Sequence, residues 1–197
     1  MGWMTALFVK VVNVVNTVEP IRDMNMVLDI ADYLKLKNIR DYVLFMFGIY
    51  SGLRISDILE FRVRDVKDKN VIIMREKKTR KEKTFKVNKA LKKILDDYTY
   101  GMKDYEYLFK SPKGKNNHIT RQQAYNILRE AAGNFGVEAV GTHTLRKTFG
   151  YHTYQQTKDV AGLMDIFNHS SQDITLRYIG INQDNKDRIM SQLKFER

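Results

Sequence analysis

The hydrophobic period of the chain changes twice, and this limits the architectures open to it more than any other feature. From Met24 to Leu36 the apolar residues Met24, Val27, Leu28, Ala31 and Leu34 recur three and four apart, which lines one face of an α-helix. A second apolar helix is predicted over Ile39–Tyr50, ending at Ser51-Gly52, and helix resumes near Ser56, whose hydroxyl suits an N-cap. Three short segments rich in β-branched residues follow, Val63–Val66, Val71–Met74 and Thr84–Val87, separated by charged turns at 67–69 and 77–83. They read as strands. The helical period then returns over Lys89–Tyr98, Thr120–Phe135, Thr144–Gln156, Asp159–Asn168 and Asn185–Leu193, with Thr120 and Asp159 where N-caps belong. The predicted fold is therefore α+β and mostly helical, with a small three-stranded antiparallel sheet. There is no internal repeat and no low-complexity tract.

The first fifteen residues, MGWMTALFVKVVNVV, carry one charge, Lys10. They lack a basic n-region and a small-residue cleavage site, and they are too short to span a bilayer. Residues 1–18 are read as an apolar extension and 19–197 as one domain, long enough for a proper core. Lys and Arg number 34 against 23 Asp and Glu, a net charge of +11. That surplus favours a polyanionic partner, nucleic acid or an anionic membrane surface. Cysteine is absent, which excludes disulfides and thiolate metal sites and suits a reducing cytoplasm. The four histidines, His118, His143, His152 and His169, form no H-E-x-x-H pair or similar spacing, so no metal or other cofactor is expected.

Four segments carry candidate chemistry. In Ser51-Gly52-Leu53-Arg54 the glycine lets the chain turn between two helices, so Arg54 projects from a turn. Glu76 to Lys83 is a charged hairpin that can place one ammonium at a phosphate, with Lys77 and Lys78 as competitors. In Thr142-His143-Thr144-Leu145-Arg146, His143 and Arg146 are three apart on the first turn of a helix, where free backbone N–H groups also favour an anion. His169 ends one helix and Tyr178 lies nine residues on, in Thr175-Leu176-Arg177-Tyr178-Ile179. Each alone has a bland reading: a solvated turn, a charged loop, a capped helix start, a packed tyrosine.

Taken in order, SGLRISDIL, EKKT, THTLRKTF and NHSSQDITLRYIG resemble the catalytic domain of the tyrosine recombinases, the phage-type integrases, over roughly Glu19 to Leu193. The resemblance implies that Arg54 is the first catalytic arginine, His143 and Arg146 the His-x-x-Arg pair, Lys78 the hairpin lysine, His169 the second histidine and Tyr178 the nucleophile. Lys147 stands where a second histidine often follows the arginine, and Asn168 where glycine usually precedes the histidine. Neither is a residue to which the resemblance gives a chemical role. Typical members also carry a helical core-binding domain ahead of the catalytic one. Here only about twenty residues precede the catalytic pattern, as in a fragment or a minimal integrase.

The resemblance implies double-stranded DNA as partner and a homo-oligomer on it, with no membrane and no small-molecule substrate. The residue types suit the reaction. Two guanidiniums offer paired donors to phosphoryl oxygens that gather charge. Tyrosine, with an ordinary pKa of about 10, needs a proton acceptor such as His143. Lys78 can protonate the departing 5′-oxygen, His169 can hold a phosphate oxygen, and the product is a 3′-phosphotyrosyl bond. Two alternatives share the fold: a type IB topoisomerase-like strand relaxer, and a catalytically silent DNA-binding regulator.

Overall fold

Six polar residues start helices by accepting a backbone N–H of the first turn: Asp23 from Asn25, Asn38 from Arg40, Asn88 from Leu91, Thr120 from Gln123, Asp159 from Gly162 and Ser171 from Ile174. Such a cap contributes about 1 kcal/mol, so these positions set where the elements begin. The structure, a computed structural model, describes residues 18–194, and the extension predicted over 1–18 lies outside them except for Val18. The order is α1 (Met24–Lys37), α2 (Ile39–Ser51), α3 (Ile55–Ile58), α4 (Val63–Val66), β1 (Val71–Arg75), β2 (Glu82–Lys86), α5 (Lys89–Thr99), α6 (Arg121–Gly133), α7 (Thr144–Thr157), α8 (Val160–Phe167), α9 (Gln172–Tyr178) and α10 (Ile181–Ser191).

The central element is α2, whose run Val43–Phe47 is buried on every side, as expected of a helix apolar around its circumference. On one side Phe47 meets Phe61, Phe85 and Phe109 edge-on or tilted, joining the sheet and α5 to the core. On the other side Phe45 and Met46 pack with α1, α6 and Leu145 of α7. A Cβ on Gly48 would fall 2.4 Å from Leu145 Cδ1, so the α2–α7 approach depends on a residue without a side chain. A smaller cluster of Leu163, Phe167, Ile179 and Ile181 binds α8, α9 and α10 together beneath Phe149 and Tyr178. The leading segment is laced to α7 and α10. Lys147 Nζ donates to the Val18 carbonyl at 2.6 Å, Ile21 N donates to Thr148 Oγ1 at 2.9 Å, and Arg22 Nε donates to Asp184 Oδ1 at 2.8 Å.

The mostly helical α+β class holds, but the sheet has two strands among the described residues, in antiparallel register from Val71↔Lys86 to Arg75↔Glu82. The predicted strand Val63–Val66 is the helical turn α4. Its two valines are three apart and both buried, a helical spacing, and the Asp65 carboxylate accepts the Arg62 N–H at 2.7 Å to close the turn. The strand predicted at Thr84–Val87 runs instead over Glu82–Lys86. The last helix begins at Ile181, four residues before the predicted Asn185. The short helix α9 was not anticipated, because seven residues hold too few turns to show a period.

Candidate active site

Gly52 has φ +60°, and a Cβ there would meet Phe149 Cδ1 at 2.3 Å. Both facts demand glycine. Leu53 anchors the turn in the core and Arg54 follows as the N-cap of α3. Arg54 Nη1 lies 2.9 Å from Glu76 Oε1 and 4.0 Å from Asp57 Oδ2, and both carboxylates are 1% exposed. The pair with Glu76 is ionic, with Nη1 out of line for a hydrogen bond.

Arg146, in the first turn of α7, is 3% exposed. Its Nη1 donates to the Gly52 carbonyl at 2.6 Å and its Nη2 to the Phe167 carbonyl at 3.2 Å, while the guanidinium lies 4.4 Å over the Phe167 ring. The turn before Arg54 and the end of α8 thus hold Arg146 rigidly, with three of its five N–H donors left over.

His143 caps α7, and its Nδ1 lies 3.1 Å from the Tyr178 hydroxyl. Partial burial, then the charges of Arg146, Arg54, Lys147 and Arg121, lower its pKa. It is therefore neutral at pH 7 and able to accept a proton. Tyr178 ends α9 against Phe167 and His169, at ring-centroid distances of 5.4 and 5.1 Å. Burial pushes its pKa up, and the neighbouring Arg146 and Arg54 oppose that. His169 Nδ1 is 3.1 Å from the buried Thr175 Oγ1, which fixes the ring. Burial, then Arg146 and Arg54, keep its pKa low.

Five of the six predicted residues, Arg54, His143, Arg146, His169 and Tyr178, therefore gather at one place. Lys78 stands apart, exposed in the turn between β1 and β2. Its competitor Lys77 is committed elsewhere: its ammonium pairs with Glu60 and its N–H donates to Asp57 Oδ1 at 3.1 Å. A further lysine, marked by no sequence motif, packs against the Arg54–Glu76 pair. Lys83, on β2, reaches Glu76 and the Ile166 carbonyl, and burial followed by the opposing pull of Glu76 leaves its pKa low. Glu76 and Asp57 were also missed, and only the acidic positions flanking Arg54 and Lys78 hinted at them. The two departures from the family pattern both border the site. Lys147 Nζ lies 5.2 Å over the Tyr178 ring, and Asn168 Nδ2 donates to Glu76 Oε2 at 3.3 Å. Beside His143, Arg121, Gln122, Tyr125 and Arg129 of α6 line an open groove of about 690 Å³. Among the described residues there is no group of three or more potential metal ligands and no helix long and apolar enough to cross a membrane.

The phage integrase family profile matches residues 21–185. The probable integrase/recombinase YoeC of Bacillus subtilis is 53% identical over 167 residues, which is 85% of this chain and 92% of that protein. The crystal structure of XerA recombinase superposes with a TM-score of 0.69 at 19% identity, covering 90% of this chain and 65% of the other. The XerH site-specific recombinase, solved on its difH substrate before cleavage, gives 0.66 at 17% identity, over 82% and 51%. The chain thus spans nearly all of YoeC but one-half to two-thirds of those solved recombinases.

Proposed function

The chain belongs to the phage integrase family and is a tyrosine-type site-specific recombinase; on that premise we propose that Tyr178 cuts one DNA strand and becomes joined to it. The observation that carries this is the 3.1 Å contact between the Tyr178 hydroxyl and His143 Nδ1, beside a guanidinium fixed by two carbonyls. Tyr178 Oη attacks the phosphorus of a phosphodiester while its proton passes to His143 Nδ1. The bond from phosphorus to the 5′-oxygen breaks, and Lys78 Nζ gives that oxygen a proton. The 3′-phosphate remains on Tyr178. A 5′-hydroxyl then attacks in the reverse sense, Tyr178 leaves, and the strand is resealed with no external energy source.

Charge decides which residues meet the phosphate. Arg54 and the free edge of Arg146 face the oxygens on which negative charge builds, where preorganised donors count most. His169 holds a further oxygen. The partner is double-stranded DNA, gripped through the net charge of +11 and through the stripe Arg121, Gln122, Tyr125 and Arg129 bordering His143. Lys113 and Lys115, exposed on one loop, add unspecific phosphate contacts, whereas Lys110 is paired with Glu106 at 2.6 Å. The proposed assembly on DNA is a homo-oligomer. The far half of α10 and the segment just past it present Ile189, Met190 and Leu193 at 59–68% exposure, an apolar edge suited to a second copy.

The test is covalent capture. A labelled pool of nicked duplexes with a randomised centre is incubated with the protein, and SDS-stable complexes are recovered and sequenced. An adduct formed by the native chain and lost in Tyr178→Phe, with duplex binding retained, is the expected result. An adduct persisting in Tyr178→Phe overturns the assignment.

A further inference from the structure

Glu76 lies where β1 gives way to its turn, outside every residue assigned to the reaction, yet it is 1% exposed. A buried carboxylate is costly unless paired and hydrogen-bonded, and here three of the four side-chain partners are a candidate catalytic group or its neighbour in sequence. Oε1 faces Arg54 Nη1 at 2.9 Å and Lys83 Nζ at 3.5 Å. Oε2 accepts from Thr79 Oγ1 at 2.7 Å, one residue past Lys78, and from Asn168 Nδ2 at 3.3 Å, one residue before His169. The Glu76 backbone closes the same turn, with its N–H on the Lys81 carbonyl and its carbonyl accepting from Arg80 N. Burial alone would raise its pKa, but Thr79, Lys83 and Arg54 outweigh that and hold the carboxyl ionised. Asn168 adopts φ 54°, ψ 48°, a left-handed conformation that asparagine tolerates among non-glycine residues, and it adds an amide that glycine could not supply.

Resting on the recombinase reading, we propose that Glu76 is a positioning residue that sets the Lys78 turn relative to Arg54 and the His169 segment. Lys78 itself has no packed side chain to hold it. Its placement is inherited from Thr79 through the carboxylate that also fixes Arg54. Protonation of the leaving oxygen is thereby aligned with the phosphate pocket, and loosening the carboxylate uncouples the two.

The experiment uses a captured duplex in two forms, one with the ordinary phosphate and one with sulfur as the 5′-bridging atom, which leaves without help from an acid. Single-turnover cleavage is compared for the native chain, Glu76→Gln and Thr79→Val, with Tm recorded for each. Misplacing a reacting group by about 1 Å costs on the order of 10²-fold. Glu76→Gln is expected to lose about that much on the oxygen form and to recover most of it on the sulfur form. Thr79→Val, which cuts the arm to the turn and the Lys81 N–H bond within that turn but leaves the Arg54 and Asn168 contacts of Glu76 in place, is expected to be rescued fully. Equal losses on both forms, or no loss in either variant, overturn the proposal. If Glu76→Gln fails to fold, Thr79→Val alone decides. Absence of any adduct with the native chain sinks the recombinase reading itself, and with it this one. An adduct with native rates in both variants sinks only the role of Glu76.

Discussion

Replacing Arg146 by lysine keeps the charge and removes the fork. In the native site two carbonyls, from Gly52 and Phe167, are satisfied by the guanidinium, which also lies over the Phe167 ring. An ammonium on a flexible stem reaches one carbonyl and leaves the other buried without a donor, at about 1–3 kcal/mol. It also gives up the ring contact, at about 1–2 kcal/mol for a desolvated cation. The sum is about 2–5 kcal/mol, and at about 2–4 °C per kcal/mol for a domain of this size the Tm falls by roughly 4–20 °C. On the rate side, loss of the paired phosphate donors costs ~10²–10³. Thermal scanning gives the first number, and single-turnover cleavage well below the variant's Tm gives the second. Arg146→Lys cleaving at close to the native rate, with the expected fall in Tm, would mean that Arg146 is a structural clamp and the phosphate lies elsewhere. An unchanged Tm would mean that the two carbonyls do not need it.

The other expectations are more direct. Lys78→Ala should be rescued by the 5′-bridging sulfur, whereas Lys77→Ala, whose ammonium is tied to Glu60, should cleave normally on both forms; rescue of Lys77→Ala alone would exchange the two lysines. His143 must be neutral to accept the proton, and its pKa is lowered by burial and nearby cations. The acid limb of cleavage should therefore have its midpoint below the ordinary imidazole value of about 6.5. An acid limb at or above that value would remove His143 as the base. Ending the chain after Asn182 deletes Ile189, Met190 and Leu193 and the Arg22–Asp184 pair, a partly exposed ion pair contributing about 0–1 kcal/mol. The shortened domain should fold and bind one site but lose cooperative assembly on a two-site duplex; unfolding would place α10 in its own core.

The long helices were legible because their apolar residues repeat with the helical period and their caps are chemically distinctive. Thr120 and Asp159 mark starts by side chains that do little else as well. Val63–Val66 was misread because its β-branched valines weighed more than their helical spacing in a segment of four residues, and a carboxylate two residues inside closes the turn. In the site, Arg54 and the His143–Arg146 pair carry local signatures, a glycine turn and a helix start, whereas His169 and Tyr178 were readable only through the resemblance of the ordered set of motifs. Glu76, Lys83 and Asp57 carry no such signature. Their importance arises from contacts across the fold, such as Asn168 to Glu76 over 92 positions, which no local pattern records. Asn168 and Lys147 were visible only as deviations, and their contacts emerged with the third dimension.

The contact between His143 and Tyr178 is made within one chain, and this has a consequence for inheritance. On the proposed roles, each copy brings nucleophile, base and phosphate clamp together to its own strand. Two differently crippled alleles, Tyr178→Phe and Arg146→Ala, therefore cannot restore each other by mixing, since no assembly would contain one intact set. A disabled allele would instead occupy places in assemblies with normal copies and leave one strand uncut. Expressed in a cell beside the functional gene, it would act as a dominant inhibitor.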